Sequence, residues 1–169
     1  MAFGRYPILL SWGKLKRWLY QGGRPGRSAR LLNRCFAAVH ASGHAPSHWV
    51  TLEVPGRRSG RTISFPLVMA VLDGERYLVS MLGRDVAWVR NLKAASGHAV
   101  LIHGRAEQVR LEALEIEKRA PVLKAYLQRA PGARPHIPVD KDAPLAAFEA
   151  IAEQIPVFRV LAAGPPHPT

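Results

Sequence analysis

The chain has 169 residues, 48% hydrophobic and 21% charged, which describes one folded domain and excludes a wholly disordered protein. Its only cysteine, Cys35, excludes an internal disulfide and a multi-cysteine zinc site, and no run of apolar residues is long enough for a spanning helix. Lys and Arg number 24 against 12 Asp and Glu, a net charge of +12.

That charge is uneven. Residues 1–62 hold 11 basic residues and one acid, Glu53, whereas residues 63–169 hold 13 basic and 11 acidic residues. A basic first third beside a nearly neutral body points to an anionic partner: a phosphate ligand, a membrane surface or a nucleic acid. No nucleic-acid-binding module is recognisable, so no nucleic-acid partner is expected.

Residues 3–20 mix Trp12, Trp18 and Tyr20 with Lys14, Lys16 and Arg17. The mixture suits a helix on an anionic membrane surface, or a terminal helix packing its indoles on the body of the protein. It does not read as a signal peptide, because the basic residues follow the short apolar core. The expected location is therefore the cytoplasm, with peripheral contact at the inner face of the membrane as an option. After a Gly/Pro break, residues 27–40 place Leu31, Leu32, Cys35, Phe36 and Val39 near one helical face. Cys35 reads as a small buried hydrophobe there rather than a reactive thiol.

Strands follow. Residues 48–54 and 61–72 have β character, with Pro66 marking an edge or bulge. Asp73-Gly74 is a hairpin turn, and residues 76–82 form the return strand. Asp85 is expected to cap a short helix over residues 86–95. Residues 99–102 and 105–111 form a second hairpin around His103-Gly104. A helix over residues 116–129 meets an early Pro121, a Pro-rich loop spans residues 130–143, and a helix opens at Pro144 and runs to residue 154. Residues 156–161 are the last strand, and the acidic positions between Glu107 and Glu117 read as a solvated face. The pattern predicts an α+β fold: a small β-barrel of about six mostly antiparallel strands with flanking helices.

Three segments have chemical potential. In Pro55-Gly56-Arg57-Arg58-Ser59-Gly60-Arg61, glycines let backbone N–H groups form an anion nest, and the arginines and Ser59 add charge-assisted donors. This suits a phosphate, or is a solvated basic turn. Ser80-Met81-Leu82-Gly83 ends a strand where a helix begins, and Trp88 and Asn91 share a face of that helix. An aromatic plane beside an amide suits a flat heterocycle; alternatively Trp88 is core and Asn91 a satisfied helix residue. His136, in the Pro-stiffened loop Arg134-Pro135-His136-Ile137-Pro138, is a proton donor on a lid or a surface residue. No HExxH, Walker or GxGxxG motif occurs, and no metal site is expected.

The ordered set Gly56-Arg57-Arg58-Ser59-Gly60, Pro66-Leu67, Asp73-Gly74, Ser80 to Gly83, Trp88-Val89-Arg90-Asn91-Leu92 and Ile155-Pro156-Val157-Phe158 resembles the deazaflavin-dependent nitroreductase family, within the flavin/deazaflavin oxidoreductase superfamily. The resemblance covers residues 49–161. It implies a split β-barrel that binds coenzyme F420 and passes hydride to an electron-poor small molecule such as a quinone, an activated alkene or a nitro compound. It further implies that Arg57, Arg58, Ser59 and Gly60 take the cofactor phosphate, and that Pro66, Leu67, Ser80, Gly83, Trp88 and Asn91 frame the ring and its polyol. Ser80 would orient the reactants, and His136 or water would supply the proton.

Ile63 and Met81 stand where many cofactor-using members carry Arg and Lys, and Ala147 and Phe148 stand near tyrosines of the better-known nitroreductases. FMN is the alternative cofactor. The alternative function is that of a non-catalytic lipid- or fatty-acid-binding member at the membrane surface, with a bound lipid and no cofactor. The expected organisation is a basic helical region over residues 1–47, a barrel over 48–162 and a tail over 163–169.

Overall fold

The barrel wall begins with an alternation. In β1 (Trp49–Pro55), Val50, Leu52 and Val54 are fully buried and point inward, as a period of two requires. The computed structural model describes residues 48–163. The readings for residues 3–20 and 27–40, and for the tail beyond residue 163, lie outside the described residues.

β1 is followed by β2 (Thr62–Leu72), β3 (Glu75–Val79), helix α1 (Ala87–Ala94), β4 (His98–His103) and β5 (Arg105–Ala113). A 3₁₀ turn (Ile116–Lys118), helix α2 (Arg119–Arg129), a second 3₁₀ segment (Pro131–His136), helix α3 (Leu145–Glu149) and β6 (Val157–Ala162) complete the order. The six strands close in the sequence β1-β2-β3-β6-β5-β4, every neighbouring pair antiparallel. Closure leaves no free edge strand, and only the stretch of β2 before Met69 lacks a partner on one side.

The two faces of the wall bury two apolar layers. Val50, Leu52, Val54, Leu78, Leu101, Val109, Leu111 and Val160 fill the interior, with Trp88 and Leu92 of α1 joining them at one end. Outside the wall, Ala70, Val79 and Val157 pack against Val122, Leu123, Tyr126 and Leu127 of α2 and Phe148 of α3. Burial pushes the Tyr126 phenol above its ordinary pKa. Arg119 fastens the outer layer, donating from Nε to Leu114 O at 2.9 Å and from NH1 to Ala152 O at 3.0 Å.

Local chemistry accounts for most boundaries. Asp73 and Gly74 have φ of 51° and 78°, the left-handed pair that a two-residue hairpin turn requires. Pro121 falls in the first turn of α2, where an N–H has no helical partner anyway. Pro66 sits where β2 is paired with β1 through Thr51 but not yet with β3, whose pairing begins only at Met69. Met69 N–H donates to His48 O at 2.7 Å, so odd positions of β2 bond to β1 and Pro66 turns its missing N–H toward the unpaired edge.

Four expectations need correction. Strand β3 ends at Val79 rather than Leu82, because Ser80 turns away to bond with Gly83. Asp85 does not cap α1; Val86 holds the N-cap position without a side-chain bond, and the Asp85 carboxylate meets Arg90 at 3.5 Å. Helix α3 stops at Glu149, and residues 150–154 are turns. Glu107 is not on a solvated face, since β5 alternation carries it inward to Arg76.

Candidate functional site

One end of the barrel gathers the β1–β2 turn, the segment after β3, and α1. The turn closes on itself: Gly56 N–H donates to Arg61 O at 2.8 Å, while Ser59 and Gly60 N–H both donate to Gly56 O, at 3.1 and 2.8 Å. Arg61 N–H reaches Ser59 Oγ at 3.4 Å. Gly60, at φ 64°, supplies the left-handed step. These bonds correct the backbone-nest expectation, because most of the turn's amides face inward and are already used. What the turn presents outward is therefore side-chain charge.

Arg57 docks this turn on α1. Its backbone N–H (3.4 Å) and guanidinium NH1 (3.0 Å) both donate to Asn91 Oδ1. Two donors on one oxygen fix the orientation of the amide, since only its carbonyl accepts. Asn91 is 2% exposed, yet its Nδ2 has no hydrogen-bond partner among the described residues. A buried amide donor without an acceptor is a rare feature that calls for a ligand or water. Beside it, Arg57, Arg58 and Arg61 form no ion pair with an acid among the described residues. The nearby Glu53 instead accepts from Ser64 Oγ at 3.0 Å. An uncompensated cluster of arginines gives this end a positive field.

Ser80 is buried, and its hydroxyl donates to Gly83 O at 2.6 Å, while Gly83 N–H returns to Ser80 O at 3.0 Å. Gly83 holds φ 88°. The Ser80 proton is thus committed to shaping the turn that leads into α1, although Oγ keeps acceptor capacity. Trp88 is 6% exposed and meets Phe158 edge-on, ring centroids 5.3 Å apart. The indole is the barrel's end plug. Leu67 points into the barrel beside it, while Pro66 faces outward opposite Thr51.

The structure therefore brings together Arg57 and Asn91, and Ser80 and Gly83, at one barrel end. His136 stands apart, on the 3₁₀ segment whose Ala133 and neighbouring Ile137 pack into the layer outside the wall. Sequence reading missed Phe158 as the partner of Trp88, and it missed Arg84, a further cation directly after Gly83 that acts electrostatically on Arg119. The position of Arg84 beside the Ser-x-x-Gly turn was the available signal.

A closed six-stranded antiparallel barrel with an arginine-rich turn at one end defines a split-barrel protein of the α+β class. The F420H(2)-dependent quinone reductase family model matches residues 34–145, and the chain belongs to that family, a family of oxidoreductases. Two solved structures support the fold. One is a domain-swapped dimer, at 22% identity and TM-score 0.51, covering 80% of this chain and 94% of the other. Another is a protein of unknown function from Agrobacterium tumefaciens, at 12% identity and TM-score 0.51, with 76% and 53% covered. An F420-H2 dependent reductase, FDR-A, shares 23% identity at TM-score 0.44, with 68% and 95% covered. No curated protein matches the chain.

Proposed function

We propose that this chain binds coenzyme F420 at the arginine-rich end of the barrel and serves the reduction of an electron-poor small molecule, a quinone, activated alkene or nitro compound. The observation that carries the reading is the buried Asn91 Nδ2, without a hydrogen-bond partner among the described residues, beside arginines that no acid among those residues neutralises. An anionic cofactor with carbonyl groups fits both demands, and the fit survives Ile63 and Met81 because Arg58 and Arg61 supply cations of their own. When bound, the reduced deazaflavin supplies the hydride.

The chain's residues have separate parts in this reading. Arg58, Arg61 and the Ser59 hydroxyl hold the phosphate. Arg57 positions the turn through Asn91, whose Nδ2 donates to the ligand. The β2 edge from Thr62 to Val68 lacks a β3 partner, so main-chain groups beside Pro66 can meet the polar rim of a flat ring. Ser80 and Gly83 set the turn that borders this edge and are positioning residues. Trp88 supports the site from within the core. Because His136 stands apart from this end, on the 3₁₀ segment of the outer layer, water takes the part of proton donor in this reading.

The test is a fluorescence titration with oxidised F420. Wild type should bind saturably, and Arg58→Ala should weaken binding about tenfold or more, the consequence of losing roughly 1.5–3 kcal/mol of charge-assisted bonding. Absence of binding at high micromolar cofactor, or co-purification of acyl chains in its place, overturns the reading. The proposal that residues 3–20 rest on anionic membrane concerns a segment outside the described residues. Its check is salt-sensitive binding of the full chain to anionic but not neutral liposomes.

A further inference from the structure

The two apolar layers leave one face of the wall unassigned. Helices α2 and α3 lie outside β2, β3 and β6. On β1 and β4 the outward positions are Trp49, Thr51 and Glu53, and Val100 and Ile102, with Thr51 opposite Ile102 and Glu53 opposite Val100. None of these five residues belongs to either apolar layer. The face nevertheless lacks the profile of one open to water. Thr51, at its centre, is fully buried, and Val100 and Ile102 are half-buried. Exposure rises at the rim, where His98 of β4 and Ala106, Gln108 and Arg110 of β5 share the outward side. Strand neighbours shield a side chain laterally, not from above, so a fully buried outward Thr51 between Pro66 and Ile102 calls for a covering element.

The chain ahead of β1 has a segment of the right chemistry. Residues 27–40, outside the described residues, carry Leu31, Leu32, Cys35, Phe36 and Val39 within one stripe of a 3.6-residue period, and Arg27 and Arg34 border that stripe. The segment has three arginines and no acid, whereas the outward face of β1 and β4 has a half-buried acid, Glu53. Fourteen residues make a helix roughly 21 Å long, close to the length of a seven-residue strand. Residues 41–47 join the segment to β1 and can span up to roughly 25 Å, so it can fold back over the strand it precedes. We propose that residues 27–40 form a helix lying across the outward face of β1 and β4 of its own chain, the apolar stripe on Thr51, Val100 and Ile102 and a bordering arginine beside Glu53. The proposal concerns a face away from the arginine-rich turn and stands whether or not F420 binds.

Cys35, the only thiol of the chain, lies in the stripe and serves as the reporter. The experiment measures its rate of reaction with dithionitrobenzoate in the full-length protein. In wild type the thiol should react at least about tenfold more slowly than in the urea-unfolded chain, at a rate independent of protein concentration. Ile102→Asp, in the wall, and Phe36→Asp, in the segment, should each raise the rate about tenfold or more. Gln108→Asp, at the exposed rim, should leave it unchanged. Val100→Ser gives the wall reading should Ile102→Asp fail to fold, and Phe36→Asp leaves every barrel residue in place. Fast reaction in wild type overturns the proposal. Protection that survives the wall substitutions shows that the segment is buried elsewhere and overturns it too. Protection that is lost on dilution assigns the cover to the segment of a second copy and overturns the placement on its own chain.

Discussion

The two ends of this barrel treat arginine differently. At the turn end Arg57, Arg58 and Arg61 have no acidic partner among the described residues, and within that set the buried Asn91 is satisfied on one side only. At the far mouth Arg76 is fully engaged, with both prongs on Glu107. A neutralised, well-bonded pair ties strands together, whereas unneutralised cations beside an orphaned donor raise the energy of the empty protein and are relieved by an anion. Stability and binding are thus lodged at opposite ends, and substitutions should separate them.

The largest expected effect is at Gly97, on the turn side, between α1 and β4. It holds φ 84°, and an added Cβ would come 2.7 Å from Leu111 O, a backbone atom that cannot swing aside. Gly97→Ala should lower unfolding free energy by about 3 kcal/mol, as left-handed strain and a backbone clash combine. Denaturant midpoints check this.

Next is Asn91→Asp. A carboxylate still accepts from Arg57, so the turn should stay docked, but the Nδ2 donor is replaced by a negative oxygen. F420 affinity should fall by about tenfold to a hundredfold with little loss of melting temperature. A large melting loss with unchanged affinity returns Asn91 to a purely structural part and breaks the contrast between the ends.

Glu107→Gln should behave in the opposite way, lowering stability by about 1–2 kcal/mol and leaving F420 affinity intact. The Arg76 hydrogen bonds hold the Glu107 carboxyl below its ordinary value near 4.5. Because the folded value is the lower one, the ion pair's contribution is present above the ordinary carboxylate range and is lost as pH falls through the folded value. Urea unfolding below about pH 4.5 should therefore show a shallower acid decline in Glu107→Gln than in wild type.

The smallest effect is at Gly74, in the hairpin of the far mouth. Its φ is 78°, but an added Cβ meets nothing within 4 Å. Gly74→Ala should cost about 1 kcal/mol, from backbone conformation alone. A cost equal to that of Gly97→Ala would show that dihedral strain, not the Leu111 contact, governs both positions.

Local sequence determined the strands and their turns. Alternation in residues 49–55, the left-handed pair Asp73-Gly74, the edge-marking Pro66 and the first-turn Pro121 each act over a few residues, so composition and spacing expose them. The same holds for the arginine-rich turn, whose charge is visible in the chain. Tertiary structure decided what those groups do. Asn91 meets Arg57 across 34 residues, and Glu107 meets Arg76 across 31. Only the β3–β6 and β5–β6 registers of the closed barrel carry Glu107 inward to an arginine instead of out to water. The turn's amides face inward because the chain folds back on Gly56 O, a bond that no residue type announces. Trp88 is a plug rather than a platform because α1 lays its apolar face on the barrel end against Phe158. Hydrophobic period and turn propensity are local and written in sequence, while partners for charge and for buried amides depend on distances that exist only after the barrel has closed.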